Sequence, residues 1–226
     1  MNDVAAALAR YGLAPDARAR LARYGDLLLE ANRRVNLTAA KDADAIAEQI
    51  ADALPLLPLI RANAELIDIG AGGGLPGIPL AILCGIRVTL VDSTAKKVTF
   101  LNDVMHELEL NGQAISARAE NLARAAEFRE RFTHATARAL GTAPTVVELT
   151  LPFVALEGTA LLQRGKMDEN ERNAARDTAL VLGGEVSDEL PAGGDRRILI
   201  VTKRSPTPGR FPRRVGVAQR RPLCST

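Results

Sequence analysis

Leu66-Ile67-Asp68-Ile69-Gly70-Ala71-Gly72-Gly73-Gly74-Leu75-Pro76-Gly77 sets the architecture of this chain. A short apolar run ends in three glycines spaced G-x-G-x-G, and a helix-like apolar run follows at 76–84. Without a Cβ the backbone turns tightly there and approaches a ligand closely. A strand that enters a helix through such a loop opens an open parallel sheet, whose ligands bind beyond the carboxyl ends of the strands. Further along, strand-like runs at 65–69, 87–91, 113–118, 133–138, 159–163 and 197–202 alternate with helix-like runs at 76–84, 94–110, 120–131, 144–156 and 168–182. This βαβα order predicts an α/β fold, a mostly parallel sheet covered by helices on both faces. Asn111-Gly112 and Gly183-Gly184 are expected to close two of the helices. Residues 184–202 lack a helix between their strand-like pieces, so a hairpin with an antiparallel edge strand is expected there.

Upstream, residues 16–35 read as a helix capped by Asp16, with Leu21, Tyr24, Leu28 and Val35 near one face. A second helix is expected at 42–54, with Ile46, Ile50 and Leu54 in register and Pro55 and Pro58 beyond it. The expected organisation is an N-terminal helical extension at 1–60, a main domain at 61–204 and a basic tail at 205–226.

The composition is that of a globular protein: 226 residues, 47% hydrophobic, 25% charged, formal net charge +2. Two cysteines exclude a disulfide scaffold. No apolar run approaches the ~18 residues of a membrane span. Met1-Asn2-Asp3-Val4 has no basic segment of the signal-peptide kind, so the expected compartment is the cytoplasm. The small net charge hides an asymmetry. Residues 196–226 carry nine basic side chains and no acid, which leaves the rest of the chain at −7. A basic block on an acidic body points to a phosphate-rich partner.

The glycine loop excludes two nucleotide classes. Leu75 stands where a dinucleotide fingerprint needs its third glycine, and no G-x-x-x-x-G-K-[ST] occurs. Asp92 ends the second strand-like run, 22 residues past Gly70, where a carboxylate takes both hydroxyls of a ribose. Ribose plus a close glycine turn, without pyrophosphate spacing, fits S-adenosylmethionine. Gly70, Gly72, Gly74, Leu75 and Asp92, with Ser93 and Thr94 beside it, are therefore the candidate cofactor residues. Ala119 and Glu120 follow the third strand, where an amide and a carboxylate can read an adenine edge.

The chemistry narrows by elimination. The fourth strand runs into Arg138-Ala139-Leu140-Gly141, not into the [DN]-P-P-[YF] of exocyclic-amine methylation. Cys84 lies in an apolar helix-like run and Cys224 near the terminus, so no cysteine nucleophile is indicated. His106 and His134 are isolated, and no metal is expected. What remains is attack by a group already nucleophilic, such as guanine N7, which needs alignment and no general base. Arg138 is the candidate for positioning cofactor or base. A methyltransferase acting on a small molecule or a protein, and a non-catalytic RNA-binding module, remain as alternatives at this point.

Asn36-Leu37-Thr38, residues 66–82 and 88–101, Arg118-Ala119-Glu120, Thr136-Ala137-Arg138-Ala139 and the tail with Pro212-Arg213-Arg214-Val215-Gly216 carry a resemblance. Taken together the chain resembles the bacterial small-subunit ribosomal RNA guanine-N7 methyltransferase family RsmG, also called GidB. The resemblance implies a Rossmann-like class I S-adenosylmethionine-dependent methyltransferase acting on 16S ribosomal RNA or the small ribosomal subunit; a monomer is expected. It implies cofactor contacts at Gly70, Leu75, Ala119, Glu120 and Arg138. Arg33, Arg34, Arg164, Lys203, Arg204, Arg210, Arg213 and Arg214 are the expected RNA contacts, with Phe211 the aromatic residue inside the basic block. The chain departs from the family at Glu48-Gln49, where a basic pair is common, and at Arg164-Gly165, where Lys-Gly is common.

Overall fold

The computed structural model describes residues 3–224. Three helices come first: α1 (Val4–Leu8), α2 (Pro15–Ala31) and α3 (Ala43–Ala51). Seven strands follow with their crossovers: β1 (Glu65–Ile69), α4 (Gly77–Cys84), β2 (Arg87–Asp92), α5 (Ala95–Glu107), β3 (Gly112–Ser116), α6 (Ala119–Leu122), β4 (Phe132–Arg138), α7 (Ala143–Thr150), β5 (Val154–Arg164), α8 (Glu169–Val181), β6 (Gly184–Pro191) and β7 (Arg197–Lys203). A short α9 (Val217–Arg220) lies in the basic tail. The sheet order is β3-β2-β1-β4-β5-β7-β6. All pairs through β5 are parallel, and β7 runs antiparallel to both its neighbours. The order reverses between β1 and β4, which opens a crevice at the carboxyl ends of those strands.

Two apolar cores sandwich the sheet. One runs from Val4 and Leu21 through Ile46 and Ile50 to Leu80, Leu90 and Leu101, so the N-terminal helices share it with α4 and α5. Gly25 makes that packing close: a Cβ there would lie 2.6 Å from Val4 Cγ1 and 3.1 Å from Ile46 Cγ2. The other core joins Ile67, Val91, Ala135, Val147, Phe153 and Leu162 under α7 and α8.

Several element boundaries differ from the sequence reading for identifiable reasons. The first long helix ends at Ala31, because the Asn32 side chain turns to the loop beyond and accepts from Leu37 N and Thr38 N. Its cap is Ala14 with Pro15 in the first turn, and Asp16 sits inside the helix. The helix expected at 94–110 ends at Glu107, and Glu109 takes a left-handed φ of 48°, so Gly112 opens β3 instead of closing the helix. The helix expected at 120–131 stops at Leu122: beyond it Arg129 and Glu130 are engaged by the tail, an override of local propensity by long-range contacts. The helix expected at 144–156 gives way to β5 at Val154, since Pro152 has no N–H to continue it.

The tail is docked. Arg129 donates to Phe211 O at 2.9 Å and Thr207 O at 2.7 Å. Glu130 accepts from Thr207 N, the Arg213 guanidinium grips the fully buried Glu148 carboxylate at 2.6 Å, and Thr145 Oγ1 donates to Ala218 O.

Candidate active site

The glycine loop hangs on the end of β2. Gly70 N and Ala71 N donate to Val91 O at 2.8 and 3.0 Å, and Gly72 N donates to Asp92 Oδ2 at 3.1 Å. Gly70, Gly72 and Gly74 have φ of 73°, 56° and 99°. At Gly74 the constraint is also steric, since a Cβ would lie 2.3 Å from Ile78 Cδ1. The N-terminal helices reach the loop from the other side, where Tyr24 Oη donates to Gly73 O at 2.8 Å. Leu37 also lies over the loop, its carbonyl 3.4 Å from where a Gly73 Cβ would be. Thr38 Oγ1 donates to Gln49 Oε1. Gln49 thus braces the segment between α2 and α3 that carries Leu37.

Beneath the glycines, Asp68 is fully buried. Its Oδ2 accepts from Gly77 N at 3.1 Å and its Oδ1 from Thr136 Oγ1 at 3.0 Å, tying the start of α4 to β4. Burial pushes this carboxyl up to about 7, although both hydrogen bonds favour the charged form. Between about pH 4 and pH 7 the folded chain therefore keeps a proton on Asp68 that the unfolded chain has released. Asp68's contribution to stability falls as pH rises through that window. Against Asp68→Asn, urea unfolding should show wild type losing ground by on the order of 3 kcal/mol from pH 4 to pH 7. Parallel curves over that range would refute the assignment.

The crevice itself has a volume of about 250 Å³. Gly70, Asp92, Ser93, Thr94, Ala119 and Glu120 are all on its wall. Asp92 Oδ1 accepts from Thr94 N at 2.8 Å, and Lys97 Nζ lies 3.9 Å from Oδ2. Each carboxylate oxygen has two lone-pair sites, so acceptor capacity remains for a diol. On the same wall, Arg118 Nε is buried without a hydrogen-bond partner. Glu120, 2% exposed, spends Oε1 on Gly216 N at 2.8 Å, and Gln219 of α9 also lines the crevice. The docked tail thus completes the pocket. A carboxylate at the ribose position, a buried donor without a partner and apolar Ile69 and Leu149 fit a nucleoside with a sulfonium side chain.

The remaining cofactor candidates divide. Gly72 acts through Asp92, while Gly74 and Leu75, 4% exposed, are packed behind the loop. Arg138 does not line the crevice; its neighbours Ala139, at a left-handed φ of 54°, and Leu140 do. Arg138 instead faces a second cavity of about 150 Å³ with Asp52, Gln163, Arg164, Arg196 and Arg197. Its Nη1 lies 3.4 Å from Asp52 Oδ2, and Arg196 pairs with the other Asp52 oxygen. Burial raises the Asp52 carboxyl against the pull of Arg196 and Arg138.

The expected RNA contacts need correction. Lys203 is fully buried, its ammonium 3.0 Å from Glu130 and 3.1 Å from Leu151 O, and burial lowers its pKa. Arg213 is committed to Glu148, and Arg164 to Glu171 at 2.9 Å and Gly141 O at 2.6 Å. Phe211 is 4% exposed and cannot stack on a base. Lys203, Arg213 and Phe211 serve the fold, because the tail they belong to or brace is packed instead of free. Arg164 ties the end of β5 to the β4–α7 loop and α8 with its two Nη groups and keeps Nε on the second cavity. Arg204 is exposed but pairs with Glu157 and Glu185. Arg33, Arg34, Arg210 and Arg214 are exposed, Arg34 within 3.7 Å of Glu30. Sequence reasoning missed Asp68, although a carboxylate inside an apolar strand was a signal. It also missed Asp52, whose partner Arg138 is 86 residues away.

Comparison with known proteins adds a family. The family model described as rRNA small subunit methyltransferase G matches residues 17–199. A ribosomal RNA small subunit methyltransferase G from Chloroflexus aggregans is 40% identical over 213 residues, covering 91% of this chain and 90% of its own. One of the same name from Leuconostoc citreum is 37% identical over 212 residues, covering 89% of each. Among solved structures, a TehB-like SAM-dependent methyltransferase from Corynebacterium glutamicum superposes with TM-score 0.53 at 14% identity, over 83% of this chain and 99% of that one. M. jannaschii TYW2 in complex with AdoMet gives TM-score 0.52 at 16% identity, over 68% and 74%. Both likenesses concern the fold.

Proposed function

Because the chain belongs to the rRNA small subunit methyltransferase G family, we propose that it methylates guanine N7 in 16S ribosomal RNA, using S-adenosylmethionine. The reading is carried by the crevice at the switch point, where Asp92 and the glycine loop can hold a nucleoside beside the Arg138 cavity. Bound there, S-adenosylmethionine supplies a sulfonium-activated methyl, which suits an acceptor such as N7 that has an in-plane lone pair and no proton to remove. Gly70, Asp92, Ser93 and Thr94, on one part of the crevice wall, would hold the cofactor's ribose, and Ala119 with Arg118 its base. No residue is asked to act as a base. The task left to the protein is alignment, a proximity effect.

The chain acts as a monomer in this reading, since its own α9 completes the crevice. Its substrate is the RNA of the small subunit, met in the cytoplasm. The exposed Arg33, Arg34, Arg210 and Arg214 supply phosphate contacts, which position RNA without selecting a base. Arg214→Ala should reduce the slope of log affinity against log salt by about one unit. An unchanged slope would remove Arg214 from the interface. The reaction is tested by incubating the chain and labelled S-adenosylmethionine with small subunits from a strain lacking the gene. Borohydride–aniline cleavage should then cut the RNA at one guanine. Label without cleavage would exclude N7, and absence of label would exclude rRNA.

A further inference from the structure

We infer that the cavity between α3, the ends of β4 and β5 and the β6–β7 turn receives the N1/N2 edge of the target guanine, with Gln163 and Asp52 as its acceptors; this rests on the reading just proposed. Arg138 and Gln163 are partners in the β4–β5 register, so both stand at the carboxyl end of the sheet. Ala139 and Leu140, which follow Arg138, line the cofactor crevice. The two cavities are therefore neighbours across one turn.

The polar groups of the second cavity are of mixed sign. Gln163 Nε2 donates to Asp52 O at 2.6 Å, which fixes the amide's orientation and leaves Oε1 as the acceptor. That Oε1 is buried without a hydrogen-bond partner, and so is Arg164 Nε on the same wall. A buried polar group without a partner is uncommon and calls for one. A phosphate would satisfy the arginines but would meet the Asp52 carboxylate and leave Gln163 Oε1 unpaired. A guanine edge offers donors at N1–H and the 2-amino group and an acceptor at O6, which is the complement of an amide oxygen, a carboxylate and arginines. Adenine's matching edge has one donor, the 6-amino group, beside an acceptor at N1, so it cannot donate to Gln163 Oε1 and Asp52 together.

The geometry also suits the chemistry. N7 lies on the side of guanine away from N1 and the 2-amino group. A base anchored by that edge turns N7 outward, toward the neighbouring crevice. Methylation at N7 leaves the purine positively charged and makes N1–H a stronger donor, so its hydrogen bond to the Asp52 carboxylate strengthens as the methyl arrives. Arg196, whose side chain is 57% exposed, now pairs with Asp52 across the mouth and is the member with room to leave when RNA arrives.

The test uses the full chain and small subunits reconstituted with guanosine or inosine at the target position. Inosine keeps N7, O6 and N1–H and lacks only the 2-amino group. Wild type should lose about tenfold in kcat/KM on inosine. Gln163→Leu should fall by a similar factor on guanosine and no longer distinguish the two. Its calorimetric affinity for S-adenosylmethionine should match wild type. Equal wild-type rates on guanosine and inosine would overturn the proposal, and so would a Gln163→Leu variant that keeps the wild-type preference. If that variant does not fold, the wild-type comparison decides alone. Absence of N7-methylguanine from wild type on guanosine particles would instead refute the reaction itself.

Discussion

Arg213→Ala should lower the unfolding free energy by about 3 kcal/mol, the lower end of the range for breaking a buried pair. Glu148 has no exposure, and Arg213 meets both its oxygens, at 2.6 to 3.0 Å. Removing the guanidinium leaves the buried carboxylate of α7 with Arg213 N as its remaining hydrogen-bond donor among the described residues. Arg213 is partly open to solvent, which is why the lower end applies. The loss should spread, because the residues just beyond Arg213 hold Gly216 on Glu120 and Gln219 on the crevice wall. Cofactor affinity should therefore fall along with stability. Urea unfolding and calorimetry on the same preparation check both. A loss below about 1 kcal/mol, the scale of an exposed ion pair, would mean that the tail is held elsewhere. Replacing Glu148 and Arg213 together by apolar residues should restore much of the stability, since no lone charge remains.

Asp92→Ala should weaken S-adenosylmethionine binding by about 1–3 kcal/mol, roughly 5- to 150-fold. Two losses combine. The ribose loses its acceptor, and Gly72 N and Thr94 N lose the carboxylate that fixes the glycine loop and the start of α5. Asp92→Asn keeps the shape and one acceptor oxygen, so it should fall between wild type and alanine. Calorimetric titration with S-adenosylmethionine and S-adenosylhomocysteine measures the three. An affinity for the alanine variant within about twofold of wild type, a fraction of 1 kcal/mol, would place the ribose somewhere else.

Much of this was readable from local pattern. The glycine loop, the alternation of strands and helices and the terminal hairpin follow from turn chemistry and periodicity, which act over a few residues. Asp92, Ser93, Thr94, Ala119 and Glu120 line the crevice, because Asp92 ends β2 and the others stand just beyond β2 and β3. What failed was long-range. Nothing in the order of residues pairs Asp52 with Arg138, or Glu148 with Arg213, because each pair forms only when distant elements pack. The basic block, whose charge points to a phosphate-rich partner, carries no local signal that it docks. In the structure, Arg129, Glu130 and Glu148 draw it onto the domain, and only part of its charge faces outward. The same contacts explain the short α6, since the segment after Leu122 is shaped by the tail that it binds.

The most direct measurement is a crystal structure of the chain soaked with S-adenosylmethionine. Both ribose hydroxyls should lie within hydrogen-bonding distance of the Asp92 carboxylate, the adenine beside Ala119, and the methyl directed toward the turn that carries Arg138. Density in another cavity, or a crevice empty at saturating ligand, would contradict this placement.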